Sequence, residues 1–377
     1  MIFANALKPK YLLKQLIGYS AILLLLSFTM VTRAEFILDS NPSISADMPF
    51  NAESLCRVAN NTQAYLTKYQ DDTFAVHAGE NIIKGLTLSR VQETLVFMCK
   101  PENKSKLNQG EFLKQHFDFY RWYPEKKQAN VFAQKSTNKV KTRLLTNIPK
   151  DQILLTKYYT KLLNASSVKT AVYDQALYAL PFDEQALTLA EADAKGNQLT
   201  RFKYTRQEVI AGKLLNNKLA KPLIWLTEDA LHDVLLQGTG VMNVDGKVRY
   251  FNVHRNNGIA YNYAIGKKEQ ARYWYFAEVP SVLGYGKTID AKIALESDVA
   301  FAGNVKSLGL GKLFLINHAV DGVTQGALGV LADQGGAFDN NLFQLDWLKG
   351  SYYGWKDYYE ANKHLSDYAS AWLLLKK

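Results

Sequence analysis

Apolar residues recur at helical spacing over 49–72 and again over 85–99, where Leu86, Val91, Leu95 and Met98 share one stripe. The pattern continues through 109–120 and breaks after FDFYRWYP, at Pro124. The opening segment is therefore predicted to be mainly helical. From residue 151 the period shortens. DQILLTKYY (151–159) and AVYDQALYAL (171–180) read as strands. TRQEVIAGKLLNNKL (205–219) reads as a short helix broken near Gly212, and 228–235 as another. Within 234–254, apolar stretches flank Asp245 and Gly246, the turn pair of a two-residue hairpin. KLFLI (312–316), ALGVLA (327–332) and AWLLL (371–375) add three short strands. Many short strands separated by glycine-rich turns predict β-barrel-like units, so the chain reads as mainly β with helices, an α+β fold.

The N-terminus stands outside this pattern. Lys8, Lys10 and Lys14 precede the apolar run Leu16–Val31, which ends in Thr32, Arg33 and Ala34. That run is shorter than the roughly 20 residues of a full membrane span. It reads as an export leader, residues 1–34, cleaved after Ala34. An uncleaved N-terminal anchor is the alternative. No cysteine lies near the cleavage point, so the N-terminus is not that of a lipoprotein, and membrane contact is expected through the leader only. Export changes the reading of Cys56 and Cys99, the two cysteines: in an oxidising compartment they form one disulfide or stay as two buried thiols. The six histidines are scattered, without metal-ligand spacing, so no metal and no cofactor is expected. The formal charge is +10; the leader supplies four of those positive charges and no acid, leaving 10 − 4 = +6. A basic exported chain is drawn to anionic partners such as a lipid surface or an acidic wall polymer. Export sets nucleic acid aside. The 22 tyrosines and 6 tryptophans suit sugar rings and ordinary cores alike.

The segment LADQGGAFDNN (331–341) raises the chemical question. Asp333 follows a buried strand and precedes Gly335 and Gly336, with a second acid at Asp346. It is either a turn former or a carboxylate held rigidly where glycines let a ligand approach. Four stretches decide between these readings. TKYYTKLLNAS (156–166), continued by LYALP (177–181), is similar to a TGYYEP segment. TRQEVIAGKL (205–214) is similar to an (S/T)R-x-x-I-x-x-G helix. LLQGTGVMNVDGKVRYFNVHRNNGIAY (235–261) is similar to a QGSG hairpin and its N-G-x-x-Y continuation. LADQGGAF (331–338) with DWLKG (346–350) is similar to D-x-GGAI followed by D-x-x-x-G. In this order, over about 150–377, they resemble the MltA family of murein lytic transglycosylases.

The resemblance implies a double-psi β-barrel domain with helices, built from 35–155 and 273–377. A β-rich domain, 156–272, is inserted in it, and a glycan groove lies between the two. It implies a monomer in the periplasm or cell envelope, with peptidoglycan strands and cell-envelope proteins as partners. The implied reaction cleaves the N-acetylmuramic acid–N-acetylglucosamine bond without water and leaves a 1,6-anhydromuramic acid end. Asp333 would be the acid and then the base, with Asp346 supporting it. A single essential acid fits, because the nucleophile is the sugar's own C6 hydroxyl, whereas ordinary glycosidases need two carboxyls. Gln237, Thr239, Tyr261, Tyr159, Gly335 and Gly336 would bind substrate. Several positions depart from the family pattern. Lys157 and Lys161 replace a glycine and a proline, Asp339 stands at a lysine position, Ile259 replaces a histidine, and ESDVAFA (296–302) lacks an arginine and an acid. These changes leave a second reading open: an exported glycan-binding protein of the same fold without turnover, its groove blocked by Phe338 or a tyrosine.

Overall fold

The computed structural model describes residues 34–77, 82–83, 85–335 and 340–377; the leader reading falls on 1–33, outside them. Thirteen strands are described. In chain order they are β1 (Glu35–Leu38), β2 (Phe117–Tyr123), β3 (Ile153–Asn164), β4 (Gln175–Pro181), β5 (Ala220–Leu226), β6 (Thr239–Val244), β7 (Lys247–Asn256), β8 (Trp274–Val279), β9 (Ala300–Ala302), β10 (Leu313–Val320), β11 (Val323–Asp333), β12 (Gln344–Tyr352) and β13 (Leu365–Lys376). Six of them close on themselves in the order β3, β12, β9, β11, β10, β13 and back to β3. The β3/β12 and β9/β11 pairs are parallel, and the other pairs of the ring are antiparallel. This closed barrel, with helices and a further β-rich region, is the α+β barrel fold that the sequence predicts.

Strand β3 does two jobs. Its first half closes the barrel. Its second half runs on and pairs in parallel with β6, from which β7 and β8 follow antiparallel. The chain thus has two main apolar clusters joined by one strand. One gathers Leu155, Leu315, Leu328 and Leu345 with residues of the opening helices. The other gathers Leu177, Ile224, Leu231, Met242, Phe251 and Tyr275. The DG hairpin forms as predicted: Asp245 and Gly246 both take positive φ, 51° and 79°, joining Val244 to Lys247. The helix over 205–219 is split by Gly212, at φ 90°.

Two helices, α1 (Ala52–Lys68) and α2 (Leu88–Met98), pack on the barrel. Asn51 caps the first by accepting from the Ser54 amide, and Thr87 caps the second by accepting from the Arg90 amide. Cys56 and Cys99 are disulfide-bonded, with Cα atoms 5.5 Å apart, which resolves the alternative left by the sequence. The bond ties α1 to the end of α2 across 43 residues. A chain-entropy argument gives it about 2–4 kcal/mol. Replacing both cysteines by serine is expected to lower the unfolding free energy by that amount in urea melts. A midpoint unchanged from wild type would remove the staple role.

The helical reading of 109–120 needs correction. The helix stops at His116, and 117–123 is β2, held between β1 and β13. Its side chains alternate in burial through Phe117, Phe119 and Arg121, as a strand's do. The expected hairpin is also shorter than read. Residues 234–237 belong to α5 (Glu228–Gln237), which Gly238 ends in the left-handed region at φ 77°. Between these lie α3 (Lys126–Lys135) and α4 (Lys139–Thr146), a basic helical pair covering Leu154 and Phe343.

Candidate active site

Asp333 is the last residue of β11 and Asp346 lies in β12. Both strands flank β9, and both aspartates are paired in register with Ala302, one on each side. The barrel's topology, not the chain, brings them together. The Asp333 Oδ1 accepts from the amide of Gln334 at 2.8 Å, and Oδ2 accepts from the Tyr158 hydroxyl at 3.0 Å. Surrounding protein mass pushes the Asp333 carboxyl up to about 6, against the pull of those two donors and of the Lys292 ammonium. Asp346 is likewise pushed up to about 6, mainly by burial. The Thr156 hydroxyl lowers it and the charge of Asp333 raises it. Its Oδ1 is buried without a hydrogen-bond partner among the described residues. Burial and these two carboxylates hold the Tyr158 hydroxyl far above the ordinary phenol range, so it stays a neutral donor.

Asp333 opens into a cleft of about 340 Å³. One wall comes from the hairpin side, through Gln237, Thr239 and Asn252. The other comes from the barrel side, through Tyr285, Lys292 and Asp333. A polar chain crosses it. Lys292 Nζ donates to Asn252 Oδ1 at 2.8 Å, and Asn252 Nδ2 donates to Thr239 Oγ1 at 3.0 Å. Gln237, exposed at the end of α5, accepts from the Lys161 amide at 3.2 Å and so ties the helix end to β3. The loop that carries Lys292 is doubled back on 282–286. Gly284 N donates to Ile293 O at 2.8 Å, and Ile293 N donates to Tyr285 O at 2.9 Å. A Cβ at Gly286 would stand 2.5 Å from Lys292 Cα, so only glycine lets these two segments touch.

The structure thus brings Asp333, Asp346, Gln237 and Thr239 to one region. It places Tyr159 and Tyr261 elsewhere. Tyr159 stacks on Tyr358 at 4.5 Å and meets Tyr352 edge-on, among aromatic side chains of β12 and α6 (Trp355–Asn362). Tyr261 lies in a neighbouring cavity beside Tyr263. Gly335 follows Asp333 by two residues, while Gly336, Phe338 and Asp339 lie outside the described residues. Sequence reasoning missed Tyr158, Asn252 and Lys292. For Tyr158 the sequence held half a signal: side chains of β3 alternate, so Thr156 and Tyr158 share one face, and the register of β3 turns that face toward the two aspartates. Lys157 and Tyr159 face the other.

That alternation also disposes of two departures. Lys157 has no positive φ and so no strain of that kind. Its ammonium is buried, donating to Ser366 O at 2.9 Å and pairing with Asp367 at 3.3 Å. Lys161 pairs with Asp233, which also holds Lys267 at 2.5 Å. Both lysines are thus engaged within the fold. Among the described residues, no group of three His, Cys, Asp or Glu side chains is placed to hold a metal ion.

Residues 154–272 match the MltA specific insert domain. No curated protein matches the chain in sequence. Among solved structures, the fold is similar to MltA from Neisseria gonorrhoeae at a TM-score of 0.56 and 15% identity, covering 91% of each chain. It is similar to a membrane-bound lytic murein transglycosylase from Agrobacterium tumefaciens at 0.54 and 16% identity, covering 90% of this chain and 98% of that one. It is also similar to E. coli MltA with bound chitohexaose at 0.50 and 16% identity, covering 92% and 95%.

Proposed function

We propose that this chain, an MltA-type protein in its insert and its fold, is a lytic transglycosylase acting on peptidoglycan in the periplasm or cell envelope. The observation that carries the reading is the Asp333 carboxyl, held near 6 at a strand end that opens into the cleft. A similar structure holds chitohexaose, a chain of six β-linked amino sugars, which supports a glycan as occupant. The same reading divides the chain into a barrel domain, 35–155 with 273–377, and an insert, 156–272. The two separate apolar clusters favour two units, but Tyr273, Tyr275 and Phe276 belong to the insert's cluster and β8 pairs with β7, which carries the insert past 272.

The chemistry follows from the site. Two carboxyls pushed to about 6 on either side of Ala302 titrate as a pair, and near neutral pH the pair keeps a share of one proton. Asp333 gives that proton to the glycosidic oxygen as the C1–O bond breaks. The developing oxocarbenium centre lies next to the carboxylate so formed. The C6 hydroxyl of the same muramyl residue attacks C1, and Asp333 takes its proton. No water enters the step. Tyr158 positions the Asp333 carboxyl and stabilises its charge once the proton has left. Asp346 supports it by favouring the protonated partner, because two adjacent negative charges repel. Gln237 and Thr239 offer an amide and a hydroxyl to the sugars.

Digestion of purified peptidoglycan, followed by mass analysis of the muropeptides, tests the reaction. The expected products carry 1,6-anhydromuramic acid ends, 18 Da lighter than hydrolysis products by the mass of about one water, since the nucleophile is internal. Reducing ends in place of anhydro ends would replace the transglycosylase with a hydrolase. Binding without cleavage would leave the glycan-binding reading of the same cleft.

A further inference from the structure

Beside the cleft lies a second cavity of about 530 Å³, on the insert side of the molecule. The two share Gln237, Gly238 and Val253 in their walls and so lie side by side. Its far wall is aromatic and cationic. Tyr261 and Tyr263 meet at 5.1 Å, and Tyr263 is 93% exposed, a ring standing at the rim with nothing packed over it. The Arg272 guanidinium lies 4.5 Å from the centre of the Trp274 ring, which fixes its plane. Arg206, 2% exposed, lies behind. Its donors are engaged: Nε donates to Arg272 O at 2.8 Å, and Nη1 to Lys267 O at 2.6 Å and toward His232 Nδ1 at 3.4 Å. No carboxylate lines the cavity among the described residues. The Arg272 Nε is buried there without a hydrogen-bond partner among the described residues.

A buried guanidinium N–H left unpaired is costly. Two guanidiniums in one cavity without a counter-charge make that cost larger. A planar anion in the cavity supplies the missing counter-charge at the guanidinium's outer edge, since a carboxylate accepts from an arginine fork in geometry that fits both groups. The rings at the rim suit an apolar body attached to that anion. Resting on the reading of the cleft as a peptidoglycan site, we infer that this cavity binds a carboxylate carried by the muramyl residue of the strand, with Arg272 as its partner. The sugars themselves are uncharged. The carboxylate belongs either to the stem peptide or to the lactyl group where the peptide is absent. The cavity is then a specificity-determining subsite, which selects strands by what hangs from them.

Titration calorimetry separates the outcomes without any need for turnover. The probes are the GlcNAc–MurNAc tetrapeptide, the same compound with its peptide carboxylates amidated, the peptide-free disaccharide, and chitotetraose. Amidation is expected to weaken binding to the wild-type protein about 10- to 100-fold, the scale of a hydrogen bond to a charged group. Arg272→Met keeps the aliphatic stem on Trp274 and is expected to erase that difference while leaving chitotetraose binding unchanged. Tyr263→Ala, at an exposed position, is expected to weaken the tetrapeptide compound alone and tests the rim without burdening the fold. Tight binding of the peptide-free disaccharide assigns the anion to the lactyl group, and weak binding assigns it to the stem. Equal affinity for the free and amidated compounds, with the peptide-free disaccharide binding no tighter than either, overturns the inference. So does an equal loss of chitotetraose binding in Arg272→Met. If the protein proves unable to cleave peptidoglycan but the amidation effect persists, the reaction falls and the subsite stands.

Discussion

Asp333→Asn is expected to lose peptidoglycan cleavage by about 10²–10⁴-fold, the usual contribution of a general acid, and at the same time to become more stable at pH 8. The second half follows from the sign of the shift. A free aspartate titrates near 3.9, whereas folding pushes Asp333 up to about 6. Below the unfolded value the carboxyl is neutral in both states, and its burial costs nothing in charge. As pH rises from about 4 to 6 the unfolded chain releases its proton first, and the folded state is progressively penalised. Above about 6 the folded protein carries a desolvated carboxylate, and the full penalty is present. Asparagine never charges, and its one oxygen still accepts from Tyr158, though no longer also from the Gln334 amide. Part of the gain comes through Asp346, which loses the neighbour that raises it. The expected increase is about 1–3 kcal/mol at pH 8, shrinking to nothing near pH 4. Thermal melts of both proteins at the two pH values read it directly. A variant no more stable at pH 8 would mean that the carboxyl is not strained in the native cleft, and the acid role would lose its physical basis. A stabilised and inactive variant is what a site that sacrifices stability for chemistry gives.

The distribution of what the sequence revealed has a physical logic. Asp333 was legible because glycines and a strand end mark it locally, and Asp346 because DWLKG matches the family's pattern. Their partnership came only through the family resemblance, because 333 and 346 meet only through Ala302 of a three-residue strand. AFA at 300–302 is too short to show a period and is buried throughout, so its pattern is that of any apolar patch. The Asp245-Gly246 hairpin was legible because turn chemistry is local. The strand at 117–123 was misread because its aromatic residues follow a helix directly, with Phe117 starting the strand where His116 ends the helix. Choosing Tyr159 over Tyr158 shows the same limit. Two adjacent tyrosines look alike in sequence, and only the register of β3 against β12 sends 158 toward Asp333. Lys292 gave no signal at all. It reaches the cleft because 282–286 and 291–295 fold back on each other, a contact set by backbone hydrogen bonds rather than by side-chain pattern.

That fold-back supports the last expectation, that Gly286→Ala will damage both stability and turnover although no reacting group is changed. An added Cβ would sit 2.5 Å from Lys292 Cα, 2.7 Å from Lys292 N and 2.9 Å from Ala291 O. All three are backbone atoms, so no rotamer change relieves the overlap. The two segments must separate, and the Gly284–Ile293 and Ile293–Tyr285 hydrogen bonds stretch with them. Overpacking of this kind costs about 1–3 kcal/mol. Moving Lys292 then has two consequences in the cleft. Its bond to Asn252 weakens, which frees the Thr239 side of the substrate wall. Its charge withdraws from Asp333, and because that charge lowers the carboxyl, the carboxyl rises further. Turnover is expected to fall about 100-fold, the scale of a displacement of about 1 Å, and the alkaline limb of the pH–rate profile is expected to move to higher pH. Gly354→Ala is the control: its φ of −176° is open to any residue, and an added Cβ meets nothing within 4 Å. It should leave stability and rate near wild type. If Gly286→Ala behaves like Gly354→Ala, the contact between the two segments is slack, and Lys292 is not held in the cleft by the backbone beneath it.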